Sequence, residues 1–270
     1  MIEAHLFYAS VVWLAAWLLT SLPRGSATVK YWMWVATSIN FLLPLAAIPV
    51  RYVPLRLSWI TPRVRLLSAA LDHPLAAPLL GLWAIGSVAM FVRLGSRACE
   101  RRTAETPMVV GLWRTRVAIP DGIERLLTRE EIDAVLQHES THARRRDNLI
   151  RLVHELSVCL FWFHPLVWMT RSRLALYREL SCDESVAQRD DLVTALAKLA
   201  EPVEPALLHA TASSFIGARL AQLSAGERRT AAGNAMLIAV FVAILFASAI
   251  TPVAQSAERA LCTAEHSSPH

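Results

Sequence analysis

Apolar positions fall along this chain in long, nearly unbroken runs instead of alternating with polar ones. Three runs, roughly residues 6–22, 31–50 and 75–92, have the ~17–25 residues that a membrane-spanning helix needs, and a fourth, 235–250, comes close. The first run lacks a basic leader and is followed almost at once by the second, which argues against a cleaved signal peptide. Trp13, Trp17, Trp32, Trp34 and Trp83 lie in these runs, several near the ends, as aromatic residues at membrane boundaries do. The fourth run closes on Ile250-Thr251-Pro252, and the tail after residue 253 reads as short and polar.

Between residues 93 and 234 the pattern changes. Pro107–Trp113 (PMVVGLW) and Thr115–Pro120 (TRVAIP) are β-branched runs joined by a short connection, which predicts a hairpin. Thr128-Arg129-Glu130-Glu131 then forms a capping box, opening a helix whose first apolar face is Ile132, Val135 and Leu136 and which carries through His142. Leu156–Met169 is apolar but broken at His164-Pro165, so it reads as a helix pair lying in the membrane interface or against the bundle. Pro165 can open a new helix that runs through Glu179 and Asp183. Asp191–Leu199 is amphipathic and ends at Glu201-Pro202. The fold class expected is a mainly α integral membrane protein with four transmembrane helices and an inserted α+β domain containing a small β-hairpin. Its parts are residues 1–92 with three spans, the inserted domain at 93–234, and the fourth span with an external tail at 235–270.

Composition agrees with membrane insertion. Hydrophobic residues make up 54% of the 270, there are 9 Trp, and the mean hydropathy is +0.39. The net charge of +5 comes almost wholly from arginine, because only Lys30 and Lys198 are lysines. These arginines flank apolar runs and do not interleave with aromatics, so membrane orientation explains them better than direct nucleic-acid binding does. Arg24, Lys30, Arg93, Arg97, Arg101, Arg102, Arg228 and Arg229 fall on one side; Arg51, Arg56, Arg63, Arg65 and Arg259 fall on the other. Eight against five predicts an external N-terminus and places segment 93–234 in the cytoplasm. Cys99, Cys159, Cys182 and Cys262 are widely spaced and form no CxxC pair, so they supply neither a disulfide framework nor a cysteine metal site.

The chemistry lies in His138-Glu139-Ser140-Thr141-His142, an HExxH motif. On a helix, positions i and i+4 share a face, so both imidazoles can bind one Zn2+ ion, with Glu139 beside them as general base. By chance such a match arises somewhere in a chain of this composition in roughly 2% of cases, so its position directly after a helix start matters. A third ligand must come from elsewhere. Glu179 and Asp183 are four apart on the predicted Pro165 helix, which puts both carboxylates on one face: one to bind metal, the other to orient a ligand imidazole. Either assignment of the two roles fits the spacing. Glu184, about 100° round from that face, is expected to matter little. Asp147 reads as the salt-bridge partner of a neighbouring arginine, with orientation of a histidine as the alternative. His154 and His164 read as structural, Cys159 and Cys182 as packing residues, and Tyr177 and nearby arginines as candidates to stabilise an oxyanion.

The run HESTHARRRDNLIRLVHELSVCLFWFHPLVWM followed by YRELSCDESV resembles the BlaR/MecR-type membrane zinc peptidases, the fifty-sixth, gluzincin-like family of the metallopeptidases. So does the PMVVGLWRTRVAIP hairpin, and so does the order of three spans, cytoplasmic domain and fourth span. The resemblance covers about residues 75–250. It implies that His138, His142 and Glu179 bind zinc, that Glu139 is catalytic, and that Asp183 supports a ligand from behind. It also implies cleavage of a cytoplasmic transcriptional repressor, of the protein itself, or of both. The best-known members continue into an external penicillin-binding sensor domain; this sequence stops at His270, so a peptidase lacking that sensor is expected. Expected partners are a protein or peptide substrate and the lipid bilayer, with homodimerisation left open. The rival readings are a membrane quality-control metalloprotease and a non-catalytic, zinc-containing transducer.

Overall fold

The structure, a computed structural model, describes residues 2–42, 76–99, 106–200, 217–223 and 231–265. Two N-terminal helices, α1 (Ile2–Ser21) and α2 (Ala27–Leu42), are followed by α3 (Ala76–Cys99). A two-stranded antiparallel sheet comes next, β1 (Met108–Val110) with β2 (Arg116–Ala118), in the register Met108↔Ala118, Val109↔Val117 and Val110↔Arg116. Gly111 in its connection has φ +94°, and a Cβ there would meet the Arg114 carbonyl oxygen at 2.2 Å, so this turn requires glycine. Then follow α4 (Arg129–Arg145), α5 (Asp147–Leu160), α6 (Pro165–Asp183) and α7 (Arg189–Ala200), the short helical segment 217–223, and α8 (Ala231–Glu265).

Local chemistry accounts for the helix ends. At α4 the capping box is complete: the Glu131 amide donates to Thr128 Oγ1 at 3.3 Å, and the Thr128 amide donates to Glu131 Oε2 at 2.8 Å. Lys198 Nζ clamps the same carboxylate at 2.7 Å and so ties α7 to the start of α4. Pro165 stands at the first position of α6, where its missing amide hydrogen has no intrahelical partner to lose. Between α4 and α5, Arg146 adopts a left-handed conformation (φ 55°, ψ 47°), the one positive φ outside glycine among the described residues. For a residue with a Cβ that conformation costs about 1–2 kcal/mol, and it sits immediately before Asp147.

Two cores hold these elements. The larger gathers α1, α2, α5, α6 and α8 around Val12, Trp13, Tyr31, Trp34, Val158 and Leu237, with Trp13 and Trp34 edge-to-face at 5.8 Å. The smaller joins α4 to α7 through Ala134, Val135, Leu192 and Ala195. Helix α3 rests on the α5–α6 turn. A Cβ on Gly86 would collide with the Trp162 ring at 2.2 Å, and the Trp83 indole donates to the Leu160 carbonyl at 2.9 Å.

Two segments, Ala77–Arg97 of α3 and Ala231–Ser248 of α8, are long and apolar enough to cross a membrane, and α1 holds a shorter apolar stretch, His5–Ser21. Leu79, Leu82, Ile85, Val88 and Val92 of α3 and Val242 and Phe246 of α8 point outward and exposed, an apolar surface larger than water-facing proteins ordinarily carry. The expected second span, 31–50, extends past Leu42 into residues outside those described. Two expectations change. Helix α8 does not stop at Pro252 but continues to Glu265. Nor is Glu184 a bystander. It follows the last residue of α6, and its carboxylate accepts from the Ala27 amide, from the Thr28 amide at 3.1 Å and from Thr28 Oγ1 at 2.8 Å, capping the N-terminus of α2. That contact spans 156 residues of sequence and leaves no mark on local periodicity.

Candidate metal centre

His138 and His142 occupy successive turns of α4, both buried, and their Nε2 atoms face each other at 3.1 Å. From α6, Glu179 brings Oε2 to 3.5 Å from His138 Nε2 and 3.6 Å from His142 Nε2. Ligand atoms about 2.0–2.1 Å from a tetrahedral zinc ion lie ~3.3 Å from one another, so the three separations suit one ion shared by this set. The outward-facing ring nitrogens point at carboxylates. His142 Nδ1 meets Asp147 Oδ2 at 2.6 Å, and His138 Nδ1 lies 3.0 Å from Asp183 Oδ1, within ion-pair distance but off the line of a straight hydrogen bond. Each imidazole is thereby held with Nε2 toward the shared centre.

Both supporting carboxylates are themselves held. Asp183, fully buried, receives Nε and Nη2 of Arg219 at 2.8 and 2.7 Å. Asp147 receives Arg145 Nη2 at 2.7 Å on Oδ2 and the Tyr31 hydroxyl of α2 at 2.8 Å on Oδ1. The Arg145 guanidinium also stacks over the Tyr31 ring, 4.4 Å from its centre. Asp147 thus serves a histidine and an arginine together. The left-handed Arg146 is what allows this: on an unbroken helix the fifth residue after His142 points about 140° away from it, and the turn brings Asp147 back.

Electrostatics follows from these partners in the ion-free site. Burial opposes charge on Glu179, yet the two imidazoles and Arg178 hold its carboxyl well below the usual carboxylate range. Asp183 is pulled down by Arg219 and His138 against its burial, and Asp147 by His142 and Arg145. Burial alone favours neutral imidazoles. Asp183 and Glu179 nonetheless raise His138, while Asp147, Cys182 and Glu179 push His142 up to about 11. Glu139 differs: burial is the main influence, and it raises the carboxyl.

Glu139, His142 and Glu179 line a cavity of about 690 Å³ whose opposite wall is β1 and the Met90–Arg97 end of α3. Asn148 Nδ2 donates to the carbonyls of Val109 and Gly111 at 2.9 and 3.0 Å, so these two groups face away from β2, along the cavity edge of β1. Arg171 and Arg178 reach the same cavity. Tyr177 does not: its hydroxyl donates to the Thr20 carbonyl at 2.9 Å, which removes it as an oxyanion candidate. His154 is buried against Ser38 at 2.9 Å, and His164 lies 3.4 Å from Ser10, both apart from the centre. Cys159 lines the cavity wall, whereas Cys182 lies 3.4 Å from His142 Nδ1, on the side away from the shared centre. Arg219 and Tyr31 had no signal in the sequence. Each sits alone in its segment and reaches the site only through tertiary packing.

A helix-borne histidine pair facing a carboxylate from a second helix is the arrangement of an HExxH metal site. Residues 93–194 match the family described as BlaR1 peptidase M56. The chain is similar to Regulatory protein BlaR1 of Bacillus licheniformis, 32% identical over 87 residues, 32% of this chain and 14% of that protein. It is also similar to the Methicillin resistance mecR1 protein of Staphylococcus aureus (strain Mu50 / ATCC 700699) and to that of Staphylococcus epidermidis, each 24% identical over 82 residues, 30% of this chain and 14% of theirs. The matched stretch is therefore about a seventh of those relatives' length. No solved structure matches the chain.

Proposed function

We propose that this chain is a membrane-bound zinc endopeptidase that cleaves a cytoplasmic protein in signal transduction, a transcriptional repressor, itself or both. The observation that carries the reading is the convergence of His138, His142 and Glu179 on one point beside Glu139, all but His138 on the wall of an open cleft. In this reading His138, His142 and Glu179 hold one Zn2+, and Asp183 supports from behind. The ion, when bound, supplies Lewis acidity toward a carbonyl and makes nearby water more acidic. Glu139 accepts a proton from the attacking water and delivers it to the leaving amine; burial raises its carboxyl toward the range such a base needs. A substrate peptide adds as an extended strand along the outer edge of β1, where the Val109 and Gly111 carbonyls already accept from Asn148 Nδ2, recognised through backbone hydrogen bonds that ask for little sequence specificity. Cys182 lies against Nδ1 of His142 and not among the three inward donors, which favours an open catalytic site over a closed structural one. Helices α3 and α8 anchor the domain in the inner membrane, with the cleft on the cytoplasmic side.

The test is proteomics of cells carrying wild type or Glu139→Gln. A protein fragment produced only by wild type supports the reading, and its identity names the substrate. Identical fragment profiles from the two, at equal expression, would contradict it. Cleavage of many unrelated membrane proteins would move the function to quality control.

A further inference from the structure

The support of His142 does not end at Asp147. Asp147 is 4% exposed and places its two oxygens on different elements: Oδ2 on His142 Nδ1 at 2.6 Å, and Oδ1 on the Tyr31 hydroxyl at 2.8 Å. Tyr31 is fully buried on α2, one turn into that helix, and among the described residues its hydroxyl has this single partner. Its ring is fixed independently by Arg145, the residue that also donates to Asp147 Oδ2 and to Ser181 of α6. The start of α2 is in turn bound to the end of α6 by the Glu184 cap and by Thr28 Oγ1 against Ser181 Oγ at 2.9 Å. Helix α2 packs more extensively on α6, the helix of Glu179, than on any other described element.

We infer that Tyr31 is a positioning residue for the metal ligand His142, acting through Asp147, so that α2 forms part of the peptidase site. The physical reason is lone-pair bookkeeping. A buried carboxylate with only one oxygen satisfied can rotate toward another donor, and Arg145 competes for Oδ2 at 2.7 Å against 2.6 Å for the imidazole. The Tyr31 hydroxyl on Oδ1 fixes the carboxylate plane and with it the direction in which His142 Nε2 points. The inference rests on the metal-ligand reading of His142 given above.

The experiment is zinc titration of the full chain in nanodiscs against a chromophoric chelator, for wild type, Tyr31→Phe, Asp147→Ala and the double variant. Tyr31→Phe keeps the ring over Arg145 and the core packing while deleting one hydroxyl. Affinity is expected to fall about tenfold in Tyr31→Phe and about 10- to 100-fold in Asp147→Ala, as for other groups that orient metal ligands. On the Asp147→Ala background, Tyr31→Phe is expected to add less than about twofold, because the two act in series. Trp34→Phe, on the same helix but packed on Trp13, is the packing control: it lowers the unfolding temperature and keeps wild-type affinity. Wild-type affinity in Tyr31→Phe, an undiminished effect in the double variant, or an equal loss in Trp34→Phe would overturn the inference. Absence of zinc binding by wild type itself would instead overturn the metal-centre reading beneath it.

Discussion

The two halves of the proposed metal centre are built on the same plan from different sources. Each histidine turns Nε2 inward and has a buried carboxylate at Nδ1, and each carboxylate is held by an arginine. On the His138 side the support is compact: Asp183 lies four residues after Glu179 on α6, so ligand and support share one helix face, and Arg219 closes the pair from 217–223. On the His142 side the support is dispersed. Asp147 belongs to a separate helix, reached through a left-handed residue, and is completed by α2 of the N-terminal bundle. One half therefore depends on a single helix keeping its shape. The other depends on two parts of the molecule keeping their places.

Glu139 belongs to neither half, and its substitution should have the largest effect on turnover. Glu139→Gln is expected to lower proteolysis by about 10²- to 10⁴-fold, the usual contribution of a general base, with zinc still bound. Rate assays beside zinc analysis of one preparation check this, and loss of the metal would place Glu139 among the ligands.

The comparison itself is sharpened by Asp183→Ala against Asp147→Ala. Both should weaken zinc affinity by about 10- to 100-fold without abolishing it. Asp183→Ala removes both close hydrogen bonds of Arg219 and leaves it only Glu179 Oε2 at 3.8 Å; breaking a buried pair costs up to about 3–5 kcal/mol, so this variant should also give the larger fall in unfolding temperature. Chelator competition and thermal melts on both variants decide it. Loss of all binding in Asp183→Ala, with Glu179→Ala only weakened, would exchange the roles of those two acids.

His142, pushed up to about 11 against its burial by Asp147, Cys182 and Glu179, is protonated at neutral pH before an ion binds, and an imidazole must be neutral at the nitrogen it offers to a metal. Zinc binding at pH 7 should therefore release protons, and affinity should rise as the pH rises toward the His142 value of about 11. The sign is fixed: the free form carries more protons, so raising pH favours the bound form. Calorimetry in buffers of differing ionisation enthalpy measures the release, and proton uptake on binding would contradict it.

A smaller effect is expected from Glu184→Ala, which uncaps α2. Stability should drop by about 0.5–2 kcal/mol, the range for a lost N-terminal cap, seen as a lower thermal midpoint. Zinc affinity should change less than in Asp147→Ala, because the Tyr31 bond remains.

What the sequence reveals follows from range. The hairpin, the capping box at Thr128, the start of α6 at Pro165 and the HExxH spacing are set by residues within a few positions of one another, and periodicity exposes them. Glu179 and Asp183 are visible as a pair for the same reason. The second role of Asp147 stays only an alternative in the sequence, because it lies five positions after His142 and only the conformation of Arg146 makes that separation productive. Arg219, Tyr31 and the α2 cap at Glu184 join segments 36, 116 and 156 residues apart, where no local pattern operates. Pro252 misleads in the opposite direction, since the helix runs through it to Glu265.

The central claim, one zinc ion held by His138, His142 and Glu179, is tested most directly by metal content. Full-length wild type and Glu179→Ala, purified in parallel in zinc-buffered detergent, should be compared by elemental analysis. About one zinc per chain is expected in wild type and a small fraction of that in Glu179→Ala, since two histidines alone form a weak site. Equal zinc in both, or none in wild type, would contradict the account.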